Sequence, residues 1–134
     1  MSPEDIRANF DRQSMMATLG ADLAEVSPGR VTITAPILPG SRQQQGFGHA
    51  GLTFAIGDSA AGYAALSMME DGQDVLTTEM KINLLRPAQG DRLVAVGEVV
   101  KPGRRITVVR ATVWAETDDR RVEIALLQGT MLPV

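Results

Sequence analysis

Asp58 is the residue best suited to chemistry, because it is the only charged side chain between Arg42 and Glu70. It stands within residues 50–69, an apolar, alanine-rich segment that is typical of a buried helix. A carboxylate in such a place needs hydrogen-bond partners, a raised pKa or a catalytic role. We therefore interpret Asp58 as a general base or a nucleophile, with a helix-to-sheet hydrogen bond as the structural alternative.

A loop rich in glycine and glutamine, residues 39–48, precedes that helix and is followed by His49, Ala50 and Gly51. The first backbone N–H groups of a helix have no partner within the helix and carry the positive end of its dipole. Small residues at this point would let a substrate oxygen reach those N–H groups directly, as in an oxyanion hole. Glycine at a helix start is also an ordinary capping arrangement, which is the alternative.

The spacing of these two features bears on subunit structure. Ala50 and Asp58 are eight residues apart, which is about 12 Å along a helix that rises 1.5 Å per residue. One small carbonyl cannot touch both groups, so a shared substrate requires two subunits related by a two-fold axis. Small residues would let the two helices approach closely, namely Ala55, Ala61, Gly62 and Ala65.

One long helix and about six strands must position these residues. The predicted elements are a helix at 3–17, strands at 19–26 and 31–38, a helix at 50–69, and strands at 75–85, 93–100, 104–115 and 122–131. Ile6, Phe10 and Met15 form the apolar face of the first helix. Short turns join the last three strands into an antiparallel meander, and the whole is an α+β fold with one sheet wrapped around one buried helix.

Length and composition narrow the function classes. The chain has 134 residues, 44% apolar and 22% charged, which fits one domain over 1–134 with residues 1–18 as a helical extension. Without cysteine and with one histidine, disulfides, thiolate chemistry and multi-histidine metal sites are excluded, so no metal and no cofactor are expected. The first residues carry acids and no apolar run, and Asp58 interrupts the one long apolar segment, so we expect a cytoplasmic protein without a membrane partner.

Charge is unevenly distributed along the chain. The net charge is −3, but residues 81–110 hold seven basic and two acidic side chains, which makes that stretch +5 and the remainder −8. A local basic field in an acidic protein suits a compact polyanionic ligand better than a nucleic acid. The alternative is a sheet edge protected by lysine and arginine.

Three motifs together resemble those of a known family. They are GFGHAG at 46–51 with Asp58 eight residues after Ala50, TTEMKINLLRP at 77–87, and VVKPGRR at 99–105. Over residues 20–132 the chain resembles the hotdog-fold acyl-CoA thioesterases, and most of all the phenylacetyl-CoA thioesterase (PaaI-like) branch. The resemblance implies an antiparallel five- to six-stranded sheet around one long central helix, and a homodimer or homotetramer. It also implies hydrolysis of an acyl-CoA or aryl-CoA thioester to the free acid and CoA.

The resemblance implies catalytic roles for five residues. Asp58 matches the acid of the family, and the backbone N–H of Ala50 matches its oxyanion donor. His49 matches a loop histidine that shapes the oxyanion site, with a capping role as the alternative. Gln43 matches a polar residue that contacts the attacking water or the thioester oxygen, and Thr77, or its neighbour Thr78, matches a hydroxyl on the strand after the helix.

Substrate-binding residues follow from the same resemblance. Gly51 and Phe47 flank the helix start, and Phe47 suggests an aromatic or medium-chain acyl group. The acyl pocket could also draw on other apolar side chains, most of which we expect in the core: Phe54, Met68, Met69 and Met80. Basic and turn residues are candidates for the CoA phosphates: Arg86, Lys101, Gly103, Arg104 and Arg105.

Two alternatives stay open at this point. A dehydratase or isomerase of the same fold would use His49 and Asp58 as a pair for proton abstraction on an acyl-CoA. A non-catalytic acyl-CoA-binding protein is the other, although residues 1–18 contain no helix-turn-helix pattern of a sensor that binds DNA. No nucleic-acid partner is expected.

Overall fold

The computed structural model describes residues 1–134 and contains three α-helices and six β-strands. Their bounds are α1 Pro3–Asp11, α2 Ser14–Thr18, β1 Asp22–Ser27, β2 Arg30–Pro36, α3 Ala50–Leu66, β3 Val75–Leu84, β4 Arg92–Lys101, β5 Thr107–Thr117 and β6 Arg120–Pro133. The α+β class, the six strands and the single long helix after the second strand are therefore confirmed. No helix combines the length and the apolar character that a membrane crossing requires.

All six strands form one antiparallel sheet in the order β1-β2-β4-β5-β6-β3. The predicted meander β4-β5-β6 is present, and β3 crosses over to pair with β6 at the far edge of the sheet. The outer edge of β3 therefore has no neighbouring strand. Two of its apolar side chains are exposed as well, Leu76 at 58% and Leu84 at 54%.

The central helix α3 packs on five of the six strands at very short range. At Gly97 of β4, an added Cβ would collide with the backbone of Ala60, so only glycine fits beneath the helix. Ala61 and Ala65 are buried against the chain's own sheet, which curls tightly around α3, and the prediction that they face a partner helix is wrong. Ala55 is half-buried. Gly62 is not required by the sheet, because a Cβ added there would have no atom nearer than 3.8 Å.

The N-terminal segment differs from the single helix predicted at 3–17. The helix breaks between Asp11 and Ser14, where Gln13 takes an extended backbone conformation. The break turns the apolar face, so that Met15 is 51% exposed and Met16 only 2% exposed. Ile6 and Phe10 are buried as predicted and join the core.

Several boundaries also differ from the sequence prediction. Helix α3 ends at Leu66 rather than at residue 69, and the Ser67 hydroxyl donates to the Ala64 carbonyl at 2.6 Å in its last turn. Strand β5 begins at Thr107 rather than at residue 104, because residues 102–106 form the turn. β6 begins at Arg120, since the preceding turn is shorter than the pattern suggested.

Candidate active site

The N-terminus of α3 offers one free hydrogen-bond donor. His49 is the N-cap, and its Nδ1 accepts a hydrogen bond from the Gly51 N–H at 2.8 Å. The Ala50 N–H has no acceptor, whereas the next two N–H groups, of Leu52 and Thr53, are directed to the His49 carbonyl. Of the small residues proposed to bind an oxyanion, Ala50 is thus the one whose backbone donor is available, and it is exposed.

His49 is therefore a capping residue, which is the alternative that the sequence left open. An imidazole nitrogen that accepts a hydrogen bond carries no proton, so in the neutral ring Nε2 holds the proton. A Cβ added at Gly51 would lie 3.0 Å from His49 Nδ1. The glycine thus leaves room for the ring that caps the helix.

Five of the residues singled out in the sequence meet in one cleft of about 480 Å³ at this helix start. They come from the loop before α3, from its first residue and from the segment after β3: Gln43, Phe47, His49, Ala50 and Arg86. The cleft thus combines a backbone donor, a partly exposed aromatic side chain and a guanidinium group. Such a set can bind a carbonyl oxygen next to an anionic group.

The Gln43 side chain holds the loop in place. Its Oε1 accepts hydrogen bonds from the Gln45 N–H at 2.6 Å and the Phe47 N–H at 3.3 Å, and its Nε2 donates to the Gln45 side chain at 3.0 Å. One amide hydrogen of Gln43 is left for another partner. Gln43 can therefore hold the loop in its conformation and, at the same time, donate a hydrogen bond to a molecule bound in the cleft.

Arg86 is fixed to the sheet while its guanidinium group stays exposed. Its Nη1 donates to the Glu123 carbonyl at 2.7 Å, and its backbone N–H donates to the Ile124 carbonyl at 3.3 Å. The remaining N–H groups of the guanidinium can take part in the bidentate bonds that phosphate favours. Arg86 is thus held ready for an anion at the mouth of the cleft.

Asp58 lies in a second, smaller cleft of about 240 Å³ on the side of α3. The Thr77 hydroxyl donates to its Oδ1 at 2.7 Å, while the neighbouring Thr78 hydroxyl donates to the Thr130 carbonyl. Burial raises the pKa of Asp58, and the Thr77 hydrogen bond opposes that rise. No cation forms an ion pair with Asp58, so its carboxylate is a stronger proton acceptor than an ordinary aspartate.

The basic turn after β4 lies at the opposite end of α3. Gly103 and Arg104 line a cleft with Met68 and Met69, beyond the C-terminal end of the helix. Fifteen residues separate Ala50 from Ala65, which is about 22 Å of helix. Three groups of site residues, at the helix start, at Asp58 and at this turn, are thus separate within one chain.

Two further predictions need comment. The turn itself explains Gly103, because an added Cβ would collide with the Ile106 carbonyl. The apolar side chains offered as acyl-pocket walls do not gather in one pocket: Phe54, Met69 and Met80 pack on the core, as we expected for most of them, while Met68, beside Met69, lies at the far end of α3. Of the apolar residues predicted for the acyl group, only Phe47 lines the cleft at the helix start.

Sequence reasoning missed polar residues beside Asp58. Asn9, Gln13 and Tyr63 line the Asp58 cleft, although two of them come from the N-terminal extension. The only signal in the sequence was the amphipathic pattern of the N-terminal helix. That pattern does not tell which other element the helix packs against. No three histidine, aspartate or glutamate side chains converge to hold a metal ion.

Comparison with known proteins identifies the family. A model described as the thioesterase superfamily matches residues 45–122, which is more than half of the chain. The chain belongs to the thioesterase superfamily. The crystal structure of a thioesterase family protein from Silicibacter pomeroyi is 45% identical, with a TM-score of 0.95, and the match covers 98% of this chain and 96% of that one. The prediction of a thioester hydrolase is confirmed at this level.

More distant structures share the fold. The PaaI protein of the phenylacetic acid degradation operon of Escherichia coli is 22% identical with a TM-score of 0.86, covering 98% of this chain and 91% of that one. A thioesterase from Staphylococcus aureus is 20% identical with a TM-score of 0.82, covering 90% and 98%. With the six-stranded sheet around one helix, these thioesterase superfamily neighbours confirm the hotdog fold.

Proposed function

We propose that this thioesterase hydrolyses acyl-CoA or aryl-CoA thioesters to the free acid and CoA, at sites shared between two subunits. The observation that carries the proposal is the pair formed by an unneutralised, half-buried Asp58 and the free N–H of Ala50. They lie about 12 Å apart on one helix. A second copy with its helix antiparallel would bring each Asp58 next to the other helix start.

The reaction then follows from this arrangement. Asp58 takes a proton from a water molecule as the water oxygen attacks the thioester carbonyl carbon, and the Thr77 hydroxyl orients the carboxylate. The carbonyl oxygen becomes negative and accepts a hydrogen bond from the backbone N–H of Ala50 of the partner subunit. When the C–S bond breaks, the thiolate of CoA takes up the proton that Asp58 holds and leaves as the free thiol, which restores the carboxylate, and no cofactor is consumed. Direct attack by the Asp58 carboxylate is the alternative route through a covalent intermediate.

A spacing in a related protein supports the assignment of Gln43. In the Staphylococcus aureus thioesterase, a glutamine and a glutamate that lie fifteen positions apart have each been replaced by alanine. Gln43 and Asp58 are also fifteen positions apart (58 − 43). We therefore propose that Gln43, rather than another glutamine of the same loop, uses its remaining amide hydrogen on the attacking water or the thioester oxygen.

The open edge of β3 is the proposed contact between two subunits. An unpaired strand edge with exposed apolar side chains favours pairing with a second copy, which gives a homodimer and, by further association, a homotetramer. Arg86 and the turn after β4 would then bind the CoA phosphates from two chains. The residues of that turn in this role are Lys101, Gly103, Arg104 and Arg105.

The proposal is tested by measuring free thiol release from a panel of acyl-CoA substrates. We expect the protein to hydrolyse members with aryl, short or medium-length acyl groups. Similarity to the Staphylococcus aureus and Escherichia coli proteins does not tell which acyl group this chain prefers. The relative rates within the panel identify that group. No thiol release from any member would contradict the proposal.

Replacing Thr77 by valine should move the pH profile of hydrolysis. The Thr77 hydrogen bond holds the pKa of Asp58 below the value that burial alone would set. Its loss raises that pKa, so the rise of kcat/KM with pH occurs at higher pH in Thr77→Val than in the wild type. Thr77→Ser keeps the hydroxyl and the wild-type profile, and Thr78→Val is the control on the same strand. An unchanged profile in Thr77→Val would show that Asp58 is not the titrating group.

Variants of His49 separate the thioesterase from a dehydratase or isomerase. His49→Asn keeps a side-chain acceptor for the helix N-terminus, so we expect hydrolysis within about threefold of the wild type. His49→Ala loses the cap and should lower the free energy of unfolding by about 1 kcal/mol. If His49 were an acid–base catalyst, both variants would instead lose about 10²-fold or more in kcat at unchanged KM. Activity assays and chemical denaturation distinguish the two outcomes.

A further inference from the structure

Polar side chains from the N-terminal extension line the Asp58 cleft. Ser59 Oγ donates to Gln13 Oε1 at 3.2 Å, and Gln13 Nε2 donates to the Tyr63 hydroxyl at 2.9 Å. The Tyr63 hydroxyl donates in turn to Asn9 Oδ1 at 3.0 Å. Only three of the ten residues that line the cleft are hydrophobic. A cleft for a hydrocarbon chain would have a predominantly apolar lining.

The N-terminal extension holds this wall rigidly. Phe10 packs against the ring of Tyr63 with 5.9 Å between the ring centroids, and Ile6 is fully buried in the same core. The Tyr63 ring itself is only 4% exposed. Side chains fixed in this way can discriminate between ligands, because they do not rearrange to suit each one.

The wall also has unused hydrogen-bonding capacity. An amide side chain has two N–H donors, and Gln13 uses one of them within the wall. The Tyr63 hydroxyl donates once and accepts once, which leaves one lone pair. Together they offer one donor and one acceptor, which is the pair that a hydroxyl group satisfies.

We propose, building on acyl-CoA hydrolysis at Asp58, that Gln13, Tyr63 and Asn9 form the end wall of the acyl site and select an acyl group with a hydroxyl at its far end. Tyr63 lies five residues beyond Asp58, which is about 7.5 Å along the helix. An extended chain advances about 3.5 Å per three bonds, so the six bonds from a thioester carbon to a 6-hydroxyl group span about 7 Å. Gly62, with no side chain, leaves the space between them open.

The test compares two substrates of nearly equal shape, 6-hydroxyhexanoyl-CoA and heptanoyl-CoA, in which a hydroxyl replaces a methyl group. For the wild type we expect kcat/KM to favour the hydroxylated substrate by about tenfold. The methyl group of heptanoyl-CoA would cover the spare N–H of Gln13 and the spare lone pair of Tyr63 without forming a hydrogen bond to either. The preference should fall to about onefold in Gln13→Leu and in Tyr63→Phe, because each variant removes one of the two groups that pair with the hydroxyl of the substrate. Gln128→Leu, on an exposed position of β6, is the matched control and keeps the wild-type preference.

The outcomes separate this inference from the proposed function. Equal or better hydrolysis of heptanoyl-CoA by the wild type, or an unchanged preference in both variants, would overturn the inference alone. No thiol release from either substrate or from phenylacetyl-CoA would remove the proposed function with it. If Gln13→Leu does not fold, Tyr63→Phe decides, because it keeps the ring that contacts Phe10.

Discussion

Asp58→Asn is expected to lower kcat/KM for thioester hydrolysis by about 10³-fold while making the protein more stable at neutral pH. The amide cannot accept a proton from water, but its oxygen can still accept the Thr77 hydroxyl at the position of Oδ1. The substitution thus removes the base with little change in shape. Substrate binding, measured with the inactive variant, should be retained, which also distinguishes an enzyme from a protein that only binds acyl-CoA.

The stability gain follows from the direction of the pKa shift. Because burial raises the pKa of Asp58 in the folded protein, the folded state binds its proton more tightly than the unfolded state does. Stability is therefore lost as pH rises from the ordinary aspartate pKa, about 4, through the raised value, and the loss is complete above that value. Asparagine does not ionise, so its advantage is greatest above the raised pKa and disappears below about pH 4.

Thermal unfolding of the wild type and Asp58→Asn across this pH range measures the effect. Asp119→Asn is the control, since Asp119 is exposed in the turn before β6. Equal stability of wild type and variant at all pH values would show that the carboxylate is not strained by burial. A variant that is more stable yet still active would separate the buried charge from the chemistry.

Mixed dimers are expected to recover half of the wild-type activity from two inactive chains. Asp58→Asn removes the base, and Ala50→Pro removes the free N–H at the first residue of α3, where proline is well tolerated. His49 precedes it with φ −63° and ψ 145°, a conformation that suits the residue before proline. In a dimer of the two variants, one site combines the intact Asp58 of one chain with the intact Ala50 of the other.

The measurement uses dimers with two different affinity tags, so that only mixed dimers are assayed. Its reciprocal control pairs a wild-type chain with a chain that carries both substitutions, and this dimer should be inactive because each site then lacks one group. The opposite pattern, an inactive first dimer and a half-active second one, would place Asp58 and the oxyanion donor in the same chain. Either result settles how the sites are shared.

Much of the fold and part of the site could be predicted from the sequence. The alternation in the strands and the apolar run at 50–69 predicted the six strands and the one long helix. Asp58 and Thr77, both predicted as site residues, are 19 positions apart in the sequence and are joined by a 2.7 Å hydrogen bond. The sequence could not predict which side of α3 packs against the sheet. A helix that is apolar on nearly every side has no hydrophobic periodicity that distinguishes one face from another. Ala61 and Ala65 were accordingly assigned to the wrong neighbour.

Other features depend on contacts between distant parts of the chain. The pairing of β3 with β6 leaves no local mark in the sequence, since an edge strand and a central strand can show the same alternation. The wall made by Gln13 and Tyr63 joins residues fifty positions apart. The break that places Gln13 there arises from its extended backbone, and nothing in the residues around it required that conformation.

The open edge of β3 has a consequence for how the protein is made. A newly folded single chain exposes the outer edge of the ten-residue strand β3, with its unpaired backbone groups and the exposed side chains of Leu76 and Leu84. Any other chain with an unpaired edge competes for that strand, so aggregation and the proposed pairing of two copies use the same surface. If two copies pair along β3 as we propose, the yield of active protein depends on how quickly they meet after synthesis. Expression level and chaperone supply would then affect how much active thioesterase forms.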